Sequence, residues 1–96
     1  MINKNLFLFA KVLPRVENFQ EAKEALLNII EKTRKEEGCL QFHLHDDEQY
    51  LYLYEEWINE QALILHYEQA YTKEVFTKYE SCLAKEVEVN KMYLSS

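Results

Sequence analysis

Tyr50-Leu51-Tyr52-Leu53-Tyr54-Glu55-Glu56-Trp57, followed by Ile58-Asn59-Glu60-Gln61-Ala62-Leu63-Ile64-Leu65-His66, is the stretch on which the fold turns. Aliphatic and aromatic side chains alternate with period two up to the tryptophan, the pattern of a β-strand. Asn59 is then a good helix N-cap, and Ala62, Leu63 and His66 fall on one side of the helix it opens. A strand that runs straight into such a helix has an imidazole aimed back at its own end. Two face assignments stay open. Either Leu51, Leu53, Glu55 and Trp57 meet the helices, or Tyr50, Tyr52, Tyr54 and Glu56 do. In the first case a carboxylate lies among apolar groups and needs a partner, for which His66 is a candidate. In the second, Glu56 takes that place.

Upstream, Leu40, Phe42 and Leu44 alternate with Gln41, His43 and His45, and Asp46 to Gln49 makes a polar turn, so this strand and the Tyr50–Trp57 strand form a hairpin. Gly38 supplies a left-handed stop to the helix before it. That helix is expected to open on a capping box of Asn18 and Glu21 and to continue for about five turns, with Phe19, Ala22, Leu26, Ile29, Ile30 and Thr33 as its apolar stripe. Leu6 to Leu13 is apolar on both sides, as a central strand covered on both faces would be, and Pro14 ends it. Downstream, Tyr71 to about Leu83 is helical, with Val75, Phe76, Tyr79 and Leu83 as its stripe, and Glu86 to Leu94 alternates as a last strand. The order β-α-β-β-α-β with right-handed crossovers predicts one antiparallel sheet with the helices on one face. The other sheet face is also rich in aromatic and apolar residues, and a second copy of the sheet is expected to cover it.

Ninety-six residues suit one domain over 1–96. A net charge of −6 without a Lys/Arg cluster argues against nucleic acid and anionic membrane as partners. Leu6 to Ala10 is too short for a signal core or a membrane span, so a cytoplasmic location is expected. Cys39 and Cys82 form no CxxC pair and read as reduced thiols. His43 and His45 share one strand face but lack an evident third ligand, so no metal site is assigned. No phosphate loop, dinucleotide fingerprint, HExxH or GxSxG is present.

Glu36-Glu37-Gly38-Cys39-Leu40-Gln41-Phe42, then Tyr54-Glu55-Glu56-Trp57, then Ala62 and His66, resemble the antibiotic biosynthesis monooxygenase family, with its quinol monooxygenases, over nearly the whole chain. The resemblance implies an α+β, ferredoxin-like βαββαβ fold whose sheets pair in a dimeric α+β barrel. It also implies an oxidoreductase that oxidises a small phenolic or quinol compound with O₂ and needs no flavin, metal or haem. It places the acid of the motif at Glu55. Many members carry a second histidine where this chain has Tyr71, and the haem-degrading branch has an essential histidine where this chain has Phe76.

A phenol that loses its proton becomes reducing enough to pass an electron to O₂, provided that a base is at hand and water is kept out. His66 is the expected base and Glu55 the group that orients or charge-stabilises it. Trp57, Phe42, Tyr71 and Phe76 are the expected contacts to the substrate ring. Simpler roles compete with each of these: His66 as a helix-end histidine bonded to a carbonyl, Trp57 as core filling, and the tyrosines at 50, 52 and 54 as cross-strand packing. At the level of the whole protein the alternatives are a non-catalytic dimeric domain for a small ligand or partner, and a non-oxidative isomerase or lyase.

Overall fold

A computed structural model of the chain describes residues 4–96; Met1, Ile2 and Asn3, part of the domain expected over 1–96, lie outside the described residues. Strands β1 (Leu6–Val12), β2 (Cys39–Asp46), β3 (Leu51–Trp57) and β4 (Glu88–Tyr93) form one sheet in the order β2-β3-β1-β4, every neighbour antiparallel. Helices α1 (Phe19–Leu27), α2 (Ile30–Arg34), α3 (Glu60–Tyr67) and α4 (Ala70–Cys82) complete the α+β, ferredoxin-like order. β1 is a central strand, as its apolar sequence requires.

The sheet is open. β2 and β4 are its two edges, separated by two strands, so the barrel implied by the family resemblance is not formed. Four strands are too few to curl round an interior of side chains. The helices cover the inner sheet face, where Ala22, Leu26, Leu63 and Val75 join Leu6, Leu8, Val12, Leu51 and Trp57 in one core.

Strand parity settles which of the two acids points inward. β1 and β3 both bury every second residue, and the buried set of β3 is Leu51, Leu53, Glu55 and Trp57. Phe7, Phe9, Tyr50, Tyr52, Tyr54 and Glu56 are half-buried on the other face. There Phe9 stacks on Tyr52 at 5.8 Å and Tyr50 on Tyr52 at 5.9 Å, which is the cross-strand packing expected of the tyrosine ladder.

Several local expectations change. The capping box does not form: a short 3₁₀ turn, Val16–Asn18, precedes α1, and the Asn18 side chain donates to the Glu21 carboxylate rather than accepting from the backbone. The long helix is broken at Asn28–Ile29 into α1 and α2, and Ile29, Ile30 and Thr33 stay buried across the break, continuing the apolar stripe of Ala22 and Leu26. A register shift between Cys39 and Gln41 makes Leu40 a bulge residue, about half exposed instead of facing the core. The Asn59 cap forms as expected, its side chain accepting from the Ala62 N–H at 2.9 Å. Gly38 has φ of +91°, and a Cβ there would stand 2.7 Å from the Cβ of Ala62. This close approach seats the start of β2 against α3, with Gly38 O accepting from the Ile58 N–H at 2.9 Å.

Candidate functional site

Gly38 and Ala62 touch, so the residue two before Gly38 and the residue one helical turn after Ala62 come together. These are Glu36, in the turn between α2 and β2, and His66, in the last turn of α3. His66 Nδ1 lies 2.8 Å from Glu36 Oε2, and both side chains are almost fully buried. The Tyr71 hydroxyl donates to the same Oε2 in a very short hydrogen bond, and Thr72 Oγ1 is 3.5 Å from His66 Nδ1. The imidazole is boxed by rings, with centroids 4.9 Å from Trp57, 5.5 Å from Phe42 and 5.7 Å from Tyr67. Among the described residues no hydrogen bond engages Nε2. An Nδ1–H held by a carboxylate leaves Nε2 as the basic nitrogen. Burial holds His66 below the ordinary imidazole value, against the opposing hydrogen bond and charge of Glu36. It is therefore neutral, and able to accept a proton, at neutral pH.

Glu55 is 4% exposed and does not orient His66. Its Oε1 accepts from Trp57 Nε1 at 3.0 Å, and no ion pair reaches it among the described residues. Burial pushes its carboxyl up to about 7, opposed by the Trp57 hydrogen bond and reinforced by the charge of Glu36. Two residues apart on one strand face, the acid and the indole form a local pair.

Between the inner sheet face and the helices lies a cavity of about 80 Å³. Glu55, His66, Phe42, Tyr67 and Phe76 are on its wall, with aliphatic neighbours such as Leu53 and Val75. Phe76 and Val89, 44% and 48% exposed, mark its mouth between α4 and β4. Of the six residues singled out in the sequence, four (His66, Glu55, Phe42 and Phe76) share this cavity. Trp57 is fully buried behind it, against His66 and Glu55, which matches the core-filling alternative. Tyr71 points into a different hollow. That hollow, about 550 Å³ between α1 and α4, is larger but open, and it is lined by charged groups such as Glu21, Glu24, Lys32 and Lys78. Neither His66 nor Glu55 reaches it; both are on the wall of the small inner cavity.

Glu36 was not singled out in the sequence for a role. Thirty residues separate it from His66, and the packing of Gly38 on Ala62, with the Ile58 N–H bond to Gly38 O, brings the two segments together. The available signals were its place two residues before the lone glycine and at the head of the motif that carries the family resemblance. Thr72 and Tyr67 carry no sequence signal beyond helical spacing. Among the described residues no group of three or more His, Cys, Asp or Glu is placed to hold a metal ion, and no helix is long and apolar enough to cross a membrane. Cys39 and Cys82 are free thiols; burial, together with the charges of Glu36 and Glu55, pushes Cys39 up to about 11, which makes it a poor nucleophile.

The chain resembles solved structures throughout. It superimposes on a conserved protein of Methanosarcina mazei Go1 with a TM-score of 0.88 and 31% identity, over 95% of this chain and 93% of that one. With Rv0793 of Mycobacterium tuberculosis the TM-score is 0.91 at 22% identity, over 96% of each chain, a likeness of fold alone. YjcS of Bacillus subtilis (strain 168), described as an uncharacterised protein, is 34% identical over 61 residues, a match that takes in 60% of this chain and spans 58% of the length of that relative. Residues 6–78 match the family model described as antibiotic biosynthesis monooxygenase, and the chain belongs to that family.

Proposed function

We propose that the protein is a monooxygenase that oxidises a small phenol or quinol with O₂, with His66 as the base and no cofactor required. The observation that carries this reading is an imidazole on the wall of a small apolar cavity, its Nδ1 tied to a buried carboxylate. His66 Nε2 takes the phenolic proton. The phenolate passes one electron to O₂, and the phenoxyl radical and superoxide combine at a ring carbon. The resulting hydroperoxide loses water, leaving one oxygen on a quinone. For hydroquinone the balance is C₆H₆O₂ + O₂ → C₆H₄O₃ + H₂O, with no outside reductant. Glu36 holds the imidazole in the productive tautomer, Tyr71 holds Glu36, and Trp57 holds Glu55. Phe42 and Phe76 flank the ring.

The test is O₂ uptake with a panel of hydroquinones. Uptake that depends on His66 supports the reading; rates no higher than those of His66→Ala would defeat it. A second reading, non-oxidative isomerisation, is favoured by one observation: an acid, Glu55, shares the cavity with the base. Incorporation of labelled oxygen from ¹⁸O₂ into product separates the two. The proposal includes a homodimer formed through the outer sheet face, because Phe7, Phe9 and the three tyrosines lie there with no helix over them. Sedimentation at micromolar concentration that finds only monomer would remove this part.

A further inference from the structure

The Glu36 side chain is 9% exposed beside His66 and Glu55 is buried on the cavity wall, and the single imidazole between the sheet and the helices goes to Glu36. What faces Glu55 can be named element by element. β1 and β2 place Leu8 and Phe42 opposite it, and Cys39 follows along β2. α3 contributes His66 and Tyr67, and α4 contributes Tyr79. Lys91 of β4 lies two strands away on the same face and is paired with Glu60 at 2.6 Å. No cation is left for Glu55 among the described residues. An isolated carboxylate in such a place takes up a proton rather than stay charged. Because Oε1 accepts the indole hydrogen, the proton belongs on Oε2. Oε2 has no acceptor among the described residues, and the side chain is on the cavity wall.

We propose that Glu55 stands protonated in the cavity and donates its carboxyl hydrogen to the bound molecule, so that the site selects a ring carrying two oxygens, one that yields its proton to His66 and one that accepts from Glu55. This deepens the reading of His66 as a base and rests on it. A ring with a single hydroxyl satisfies His66 and leaves the Glu55 hydroxyl unmatched, a mismatch that a dry site penalises strongly. Size narrows the class further. A dry cavity that takes benzene measures about 150 Å³. This one, at about 80 Å³, takes one ring only when its wall yields, and any substituent must leave by the mouth at Phe76 and Val89.

Two measurements test this without turnover. The first is the infrared difference between wild type and Glu55→Gln. A protonated carboxyl band at about pH 6 that fades as the pH rises through about 7 is expected; its absence at that pH overturns the proposal. The second is anaerobic binding of hydroquinone and of phenol, followed by the fluorescence of Trp57, the single tryptophan, which touches Glu55 itself. Wild type is expected to hold hydroquinone about tenfold more tightly than phenol at low pH. Glu55→Gln, which keeps a donor, retains the preference at high pH, where wild type loses it. Equal affinity of wild type for the two probes overturns the proposal even if a variant fails to fold. Both readings are independent of O₂ uptake, so loss of the His66 mechanism and loss of this one are told apart.

Discussion

Glu55 and Glu56 are neighbours in the chain and sit on opposite faces of the sheet. Glu56, on the outer face, accepts from Asn5 Nδ2 at 2.8 Å and Gln41 Nε2 at 2.7 Å. Glu55, on the inner face, has one indole N–H and a cavity. The rings follow the same division. Outside, Phe9, Tyr50 and Tyr52 stack on one another, and the Tyr52 hydroxyl is tied to Asp47. Inside, Phe42, Trp57 and Tyr67 surround an imidazole. The outer face spends its polar groups on each other beside water, and its chemistry is that of packing. The inner face has fewer partners than polar groups, in a medium where each unmatched group matters more. The proposed chemistry belongs to the second condition.

The largest expected effect comes from the contact that assembles the inner face. Gly38→Ala combines a left-handed φ with a Cβ 2.7 Å from Ala62, and should cost about 2–4 kcal/mol in urea unfolding. It should also loosen Glu36 from His66, seen as a moved imidazole resonance. Unchanged stability would mean that α3 is not seated there.

Next is Glu36→Gln, which keeps the shape and weakens the hold on the imidazole. A fall of about 10–100-fold in the oxidation rate is expected, carried by kcat rather than KM. His43→Ala, on the outer face, should leave the rate unchanged. Equal losses from the two variants would break the distinction between the faces.

Glu55→Gln sharpens it through pH. A folded-state value raised to about 7 from an ordinary 4.5 means that the native state binds the proton more tightly than the unfolded state does. The resulting stability is full below the unfolded value and is lost as the pH rises through about 7. His66 acts in the opposite sense: its lowered value gives stability above the ordinary imidazole range that is lost as the pH falls. Subtracting wild type from Glu55→Gln isolates the acid. The variant should gain about 1–3 kcal/mol relative to wild type between acid and mildly alkaline pH. A pH-independent difference would show that Glu55 does not titrate on unfolding. The smallest effect belongs to Tyr52→Phe, which removes the 2.7 Å bond to Asp47 on the wet side; only a slight fall in the thermal unfolding midpoint is expected.

Much of the fold was legible because it rests on local periodicity. The alternation of Leu51, Leu53, Glu55 and Trp57 and the Asn59 cap each have short-range causes, and each is found in the structure. Gly38 has a left-handed φ, but α2 already ends at Arg34 with a right-handed cap at Lys35, so the glycine turns the loop into β2 rather than stopping the helix. What failed to show in the sequence depended on packing at a distance. The break at Asn28–Ile29 carries no Pro or Gly and leaves Ile29, Ile30 and Thr33 buried, so neither composition nor hydrophobic period marks it. Leu40 alternates correctly on paper, yet the bulge turns it outward. His66 and Phe42 could be picked out by residue type and spacing, but the partner of His66 could not, since thirty residues separate it from Glu36 and a backbone contact brings them together.

The sequence by itself determined the order of strands and helices and the hairpin, and it marked His66 as a candidate for an inward imidazole, because propensity and hydrophobic period act over a few residues. Only the tertiary structure decided which acid lies in the core and which carboxylate holds the imidazole. It also decided that Trp57 supports the cavity from behind and that the sheet stays open at β2 and β4. Those outcomes depend on which surfaces exclude water from one another, a property of the assembled chain that no single segment carries.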